Sequence, residues 1–307
     1  MMSELVIWIR TIIIYTFPAV TLICVIANSL SFLIFSHKRF HNTIFSTYFR
    51  FYLLFEILNQ ILPINKMFEL NLEMYFSLIS NFSCKLRKYF AYSDHSITAW
   101  FMMIISFDRY LSIGYPTKFL IRKNKMFQII ASCFIIGYNC CFYIPFLFFY
   151  IKESKTNRTN QTIITYKCIS PGLWVEFLNL IHELSIPFSF MFLFTLLTIR
   201  IVFKSRRSSL NNSSKSKDLK FAISSITMNV LFLLFNSPYF IFIIMNDYFD
   251  LFANQIILFK LLNSIINFFF YINSTMTFFV NYFFNSMFKK EFNDLFILSN
   301  NNNANSS

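Results

Sequence analysis

Three glycines in 307 residues leave no Gly-rich stretch whose backbone amides would cradle a phosphate, and nucleotide-binding loops drop out of consideration. Histidine is nearly as scarce: His37, His41, His95 and His182 fall in separate segments, and none joins a cysteine at metal-ligand spacing. No catalytic residue, metal ligand or cofactor site follows from these residue types, and the chain reads as a non-enzyme. The third shortage is charge. Only 13% of residues are charged, against 56% hydrophobic and 21% aromatic with 45 Phe, more apolar surface than a soluble domain of this size could hide. The chain therefore reads as an integral membrane protein, with the lipid bilayer as its first partner.

A hydrocarbon core of ~30 Å takes about 20 helical residues to cross. Seven apolar windows meet that length, at roughly 12–35, 44–64, 87–111, 127–150, 175–203, 221–245 and 256–282. They predict an all-α membrane protein: a seven-transmembrane helical bundle over 12–282 with a short amphipathic C-terminal helix. Residues 1–11 form an extracellular amino terminus. The first window is too long for a signal peptide and lacks a small-residue cleavage site, so it counts as span one. Phe284 to Leu298 mixes aromatic and basic residues at helical spacing, which suits an interfacial helix over 283–298. The Asn-rich remainder, 299–307, has the composition of a disordered cytoplasmic tail.

Seven spans place the termini on opposite faces. The loops and span ends of one face carry 17 Lys and Arg and those of the other 10, so the richer face is cytoplasmic, the amino terminus is outside and the tail inside. The net charge of +13 is then mainly a topology signal that also attracts acidic lipids or a partner on the inner face; it carries no nucleic-acid reading. Asn81, Asn157 and Asn160 open Asn-x-Ser/Thr sequons in loops assigned outside, where glycosylation occurs, although Asn211, Asn212, Asn273 and Asn305 match the same pattern elsewhere. Of six cysteines, Cys24, Cys133, Cys140 and Cys141 sit within spans and need no role beyond packing. Cys84 and Cys168 face the oxidising side, and a disulfide between them is expected. It would tie the outer loop of about 151–174 across the bundle mouth. The inner stretch from Lys204 to Lys217 is polar and loop-like.

Ser106 to Pro116 closes the third apolar run with Asp108, Arg109 and Tyr110. A charged triplet at a helix end is either a headgroup anchor or a switch at the membrane interface. The rest of the chain decides: it resembles the rhodopsin-like G-protein-coupled receptors from Asn28 to Phe288. Cys84 precedes Arg109 by 25 positions, the family's separation between its disulfide cysteine and its Asp-Arg-Tyr arginine. Asn28 stands as the span-one asparagine. Glu56, in Tyr48-Phe49-Arg50-Phe51-Tyr52-Leu53-Leu54-Phe55-Glu56, stands where an aspartate is usual. Pro187 and Pro238 match the prolines of spans five and six. Asn273-Ser274-Thr275-Met276-Thr277-Phe278, then Phe288-Lys289, is similar to span seven and the surface helix of neuropeptide-type members. Phe235-Asn236-Ser237-Pro238 is similar to invertebrate FMRFamide-type receptors and nematode serpentine chemosensory receptors.

Departures from the pattern bear on activation. Span four lacks the family's tryptophan, Asn236 replaces the span-six tryptophan and Thr195 the span-five tyrosine. Thr277-Phe278-Phe279-Val280-Asn281 replaces the Asn-Pro-x-x-Tyr end.

The resemblance implies three sites. At the inner face, Arg109 pairs with Asp108 and with Asp218 on span six, 20 residues before Pro238, until an agonist shifts a two-state equilibrium and Arg109 turns toward a heterotrimeric G protein. Asp218 is otherwise a solvated charge among lysines. At mid-membrane, Asn28, Glu56, Asp94, Thr98, Asn273 and Ser274 converge on a buried polar site, where two carboxyls would share a proton or hold a cation, sodium in the family. The alternative is a polar network that only joins helices. In the outer half, Tyr92, His95, Trp174, His182, Glu183, Asn236, Tyr239, Asn267 and Tyr271 line an aromatic pocket for a short peptide or small molecule. Ala91 stands where amine receptors carry an aspartate, which argues against a biogenic amine. His182 beside Glu183 offers a counter-ion to a charged ligand. The function that follows is a plasma-membrane receptor converting extracellular ligand binding into G-protein activation. A seven-helix ligand-gated channel or transporter, or a receptor-like protein that does not signal, stand as alternatives.

Overall fold

The structure, a computed structural model, describes residues 2–41, 46–72, 80–115, 117–148, 150–158, 161–169, 172–208, 213–247 and 256–304. Helix α1 runs over Met2–Ser36, α2 over Lys38–His41, α3 over Ser46–Leu72 and α4 over Asn81–Gly114. Beyond a 3-10 turn at Leu120–Lys123 comes α5, Lys125–Phe142, which ends in a second 3-10 turn, Ile144–Phe148. Strands β1 (Tyr150–Arg158) and β2 (Gln161–Ile169) precede α6 (Leu173–Asn179), a π-helical turn (Leu180–Ser185) and α7 (Ile186–Ser208). Helices α8 (Ser213–Asp247), α9 (Ile256–Phe284) and α10 (Ser286–Ala304) complete the chain.

The seven expected spans are helices α1, α3, α4, α5, α6 with α7, α8 and α9. Among the described residues, Pro18–Ser36, Lys125–Phe148 and Phe177–Lys204 are long and apolar enough by composition alone to cross a membrane. Helices α3, α4, α8 and α9, of 27, 34, 35 and 29 residues, exceed the length a bilayer needs. They carry polar residues that the bundle interior buries. The first helix begins at Met2, so the stretch expected as an extracellular terminus continues it. At the other end α10 runs past residue 298 to Ala304.

Local chemistry sets the helix starts. Ser80 caps α4 by accepting from the Ser83 amide at 3.1 Å, and Asn124 caps α5 by accepting from Met126 N at 2.9 Å. Asn285 does the same for α10, taking Met287 N at 3.1 Å and Phe288 N at 3.2 Å. Pro187 explains the π turn before α7. It has no amide hydrogen, so the regular ladder cannot pass through it, and the Ile186 amide reaches back five residues to the Ile181 carbonyl. The wider turn lets the neighbours His182 and Glu183 both face inward and be buried.

The outer loop differs from the plain connection expected over 151–174. Its two strands form an antiparallel hairpin with Tyr150 opposite Ile169 and Arg158 opposite Gln161. The run Thr162-Ile163-Ile164-Thr165 is β-branched throughout, which favours a pleated strand once a partner is in register.

Helix α4 is central, touching α3, α5, α7 and α8. Its end approaches α7 so closely that a Cβ on Gly114 would come within 2.8 Å of Ile201 Cδ1, and a larger residue there would push the Ile201 side chain aside. The inner half of the core is aromatic. Phe35 stacks on Phe49 at 5.0 Å and meets Phe288 at 5.4 Å. Phe288, fully buried, thereby fastens α10 to α1 and α9.

Candidate functional site

Asp108 and Arg109 are both buried near the C-terminal end of α4. Tyr110 packs on Phe194 of α7 at 5.9 Å and on Tyr115 at 5.9 Å. Asp108 is engaged from outside its helix: Arg122, on the turn before α5, places Nη1 3.4 Å from Oδ1 of Asp108 and donates to Ser112 Oγ. Neighbours along a helix do not face each other, which leaves the Asp108 carboxylate open to a partner such as Arg122. Gln128 Nε2 donates to the Arg122 carbonyl at 2.8 Å and holds the turn. The same turn starts at Phe119, exposed and left-handed with φ 55°, a conformation a bulky residue rarely adopts. Sequence reasoning missed Arg122, because it stood among Lys118, Lys123 and Lys125 as one more inner-face charge. Helix α8 carries Asp218 as expected, but the Asp218 side chain lies outside the described residues.

At mid-membrane the structure joins three of the expected residues. Asn28 Nδ2 donates to Ser274 Oγ at 2.9 Å, and Ser274 Oγ donates to Glu56 Oε2 at 2.5 Å. Tyr52, one turn from Glu56, has its hydroxyl 3.2 Å from Thr277 Oγ1. Asn273 lines an adjoining cavity with room for about one water, together with Tyr52, Met102, Met228, Met276 and Thr277. Thr98 turns to its own helix, donating to the His95 carbonyl at 2.8 Å. Asp94 is buried with neither carboxyl oxygen hydrogen-bonded. Spans one, two and seven thus meet through Asn28, Glu56 and Ser274, with Asp94 of span three beside them. Tyr52 and Thr277 form a second polar pair beside them, which the sequence pattern did not single out.

The outer half is distributed differently from a single pocket. His182 is buried among rings: it stacks on Phe142 at 3.7 Å and 13°, with Trp100 and Tyr138 each at 5.3 Å. Its Nδ1 lies 3.2 Å from Ser96 Oγ and 3.4 Å from the Tyr143 hydroxyl. Ser96 donates to Asn139 Oδ1 at 2.7 Å, and Tyr143 to Asn179 Oδ1 at 2.8 Å. His182 therefore packs spans three, four and five together, with its ring nitrogen directed to hydroxyls. Trp100 supplies an indole at this junction, in a bundle whose span four has none. Tyr92 packs against Phe146 at 4.6 Å, and Lys88 lies over its ring at 5.3 Å. Trp174 on α6 is 56% exposed. Asn236 turns back on its own helix and donates to the Phe232 carbonyl at 2.7 Å. Tyr239 is half-buried and His95 likewise. The side chains of Asn267 and Tyr271 lie outside the described residues.

Cys84 is disulfide-bonded, and Cys24, Cys133, Cys140 and Cys141 are free thiols. The Cys168 side chain lies outside the described residues; its backbone in β2 is paired with Ile151. Asn81 is exposed at the start of α4, Asn157 lies in β1, and Asn160 is outside the described residues. Among the described residues no group of His, Cys, Asp and Glu is arranged to hold a metal ion.

The family model described as 7 transmembrane receptor (rhodopsin family) matches residues 27–277, which takes in Asn28, the Asp-Arg-Tyr triplet, the π turn and Thr277. The chain belongs to that family: it is a multi-pass membrane receptor of the G-protein-coupled class. No curated protein matches it.

Proposed function

We propose, from its membership of the rhodopsin family of seven-transmembrane receptors, that the protein binds an extracellular short peptide or small chemosensory molecule and activates a heterotrimeric G protein through Arg109. The observation that carries this reading is the burial of Arg109 at the inner end of α4 while its neighbour Asp108 is held by Arg122. A guanidinium kept off the headgroups is poised to act on a partner rather than to anchor the helix. Asp218 on α8 is the acid that closes over Arg109 in the resting state. The 17-to-10 charge bias supports a plasma-membrane orientation with the amino terminus outside. It also leaves Asn81, Asn157 and Asn160 open to glycosylation. Cys168 is the partner of Cys84, which ties the hairpin to the outer end of α4. Asn28, Glu56, Asp94, Thr98, Asn273 and Ser274 form a polar site whose two carboxyls favour a bound sodium ion or a shared proton.

The test is expression with a promiscuous G protein and a panel of amidated Arg-Phe peptides beside volatile and water-soluble cues. A panel member should raise nucleotide exchange, Arg109→Ala should silence it, and Asp218→Ala should raise exchange without ligand. Silence of every panel member, together with identical exchange in the parent and both variants, would count against coupling.

A further inference from the structure

Three side chains from three different spans meet one turn above Arg109. Asn229 of α8 donates through Nδ2 to Thr195 Oγ1 of α7 at 2.8 Å. Its Oδ1 accepts from Ser106 Oγ of α4 at 3.0 Å. Ser106 shares that proton with the Met102 carbonyl of its own helix, at 2.7 Å. All three are buried, at 2% exposure for Ser106, 3% for Asn229 and 4% for Thr195. The amide of Asn229 thus places its donor on span five and its acceptor on span three.

Such a hub is conditional on helix position. Beside Asn229 on α8, Met228 belongs to the apolar core and Leu231 and Phe232 pack against it. Withdrawal of α8 from α4 and α7 strips Asn229 of both inter-helix partners at once, and an amide left bare in hydrocarbon is strongly disfavoured. Small displacements are therefore resisted and a large one is all-or-none, the property of a two-state element. Thr195 also fits here because it is short. A tyrosine ring at this position would reach well past Asn229, whereas the threonine hydroxyl stops at hydrogen-bond distance.

We propose that Ser106, Asn229 and Thr195 form a clasp that holds spans three, five and six together in the resting receptor. Opening it is the step that frees the inner end of the bundle for the G protein. The clasp rests on the coupling reading above. None of its members contacts the G protein; they are positioning residues that set how much of the population is open.

The experiment uses the full chain in lipid nanodiscs, with ligand-free nucleotide exchange on a purified G protein as the first readout. The second is the distance between spin labels at positions 118 and 217, measured without G protein. Asn229→Leu should raise exchange about five- to tenfold, the population shift expected when two inter-helix hydrogen bonds of ordinary strength in a membrane are lost. It should also lengthen the label distance. Thr195→Val, which keeps the shape and removes the hydroxyl, should raise exchange about threefold, and Thr195→Ser should return it to the parent level. If Asn229→Leu fails to yield folded receptor, the valine and serine pair at Thr195 decides. Longer distances with no exchange from any variant would leave the clasp standing and sink the coupling reading. Parental exchange and parental distance in both Asn229→Leu and Thr195→Val, with Arg109→Ala silent, would overturn the clasp and leave coupling intact.

Discussion

Arg122 stands 3.4 Å from Asp108 although thirteen residues and a helix end separate them. The acid of the Asp-Arg-Tyr triplet is therefore engaged by a side chain of the turn that precedes α5. Both partners are buried, at 5% exposure for Asp108 and 6% for Arg122, so removing one leaves a charge without water or counter-ion.

Arg122→Ala should lower the stability of the solubilised receptor by about 3–5 kcal/mol, the usual cost of stranding one member of a buried pair. Pairing it with Asp108→Asn should recover most of that loss. Arg122→Lys should recover less, because an ammonium is more strongly hydrated than a guanidinium and costs more to bury. Thermal unfolding of the four proteins in one detergent decides; a parental melting point for Arg122→Ala alone would reduce the pair to a bystander.

At the other inner corner, Glu291 of α10 is clamped by His37 and by Arg39 Nη1 at 2.9 Å, and Arg39 reaches Asp294 at 2.6 Å. The two carboxylates hold the Arg39 guanidinium above its ordinary pKa, with Asp294 the larger cause. Glu291→Ala should cut hydrogen-exchange protection along α10 about tenfold, or ~1.4 kcal/mol of local stability. Salt should leave that difference in place, since the Glu291 side chain is only 3% exposed. The smaller effect of Asp294→Ala, at a half-open site, should fade in high salt. Unchanged protection in Glu291→Ala would mean that ring packing through Phe288 and Phe292 docks the helix.

His182 separates a packing role from a ligand role. His182→Phe should keep the melting point within a few degrees, because its Nε2 is buried without a hydrogen bond and an apolar ring of similar size avoids that cost. His182→Ala should lose about 3–5 kcal/mol to the cavity left between Phe142 and Trp100. If His182→Phe binds no agonist while folding normally, the residue belongs to the ligand site after all.

Thiol counting tests the outer bridge. Denatured without reductant, the receptor should expose the four thiols of Cys24, Cys133, Cys140 and Cys141, and Cys84→Ser should add one more at position 168. That variant should also lose about 2–5 kcal/mol and most of its surface expression. A count unchanged by Cys84→Ser would show that Cys168 is not the partner.

Much of this receptor is legible along the chain. Apolar windows, the short capping residues Ser80, Asn124 and Asn285, and Pro187 all act within a few residues of themselves, so helix existence and helix starts follow from local chemistry. The polar residues at mid-membrane were legible as a group because ionisable side chains in a span have few places to go. Asn28, Glu56 and Ser274 did meet, while Thr98 and Asn236 found acceptors on their own helices. The hairpin was less visible, since a strand of Thr and Ile needs its partner in register before its propensity counts.

Membrane class, the seven helical spans, family membership and the place of Arg109 at the end of span three follow from the order of the residues. That Asp108 belongs with Arg122, that His182 sits in a ring cage and that Asn229 joins Ser106 to Thr195 emerges only in the packed bundle. The reason is geometric. Composition and period fix what one helix is and which stripe it buries, but which side chains meet across helices depends on rotation and register. Those are set by the sum of many weak contacts in the packed bundle.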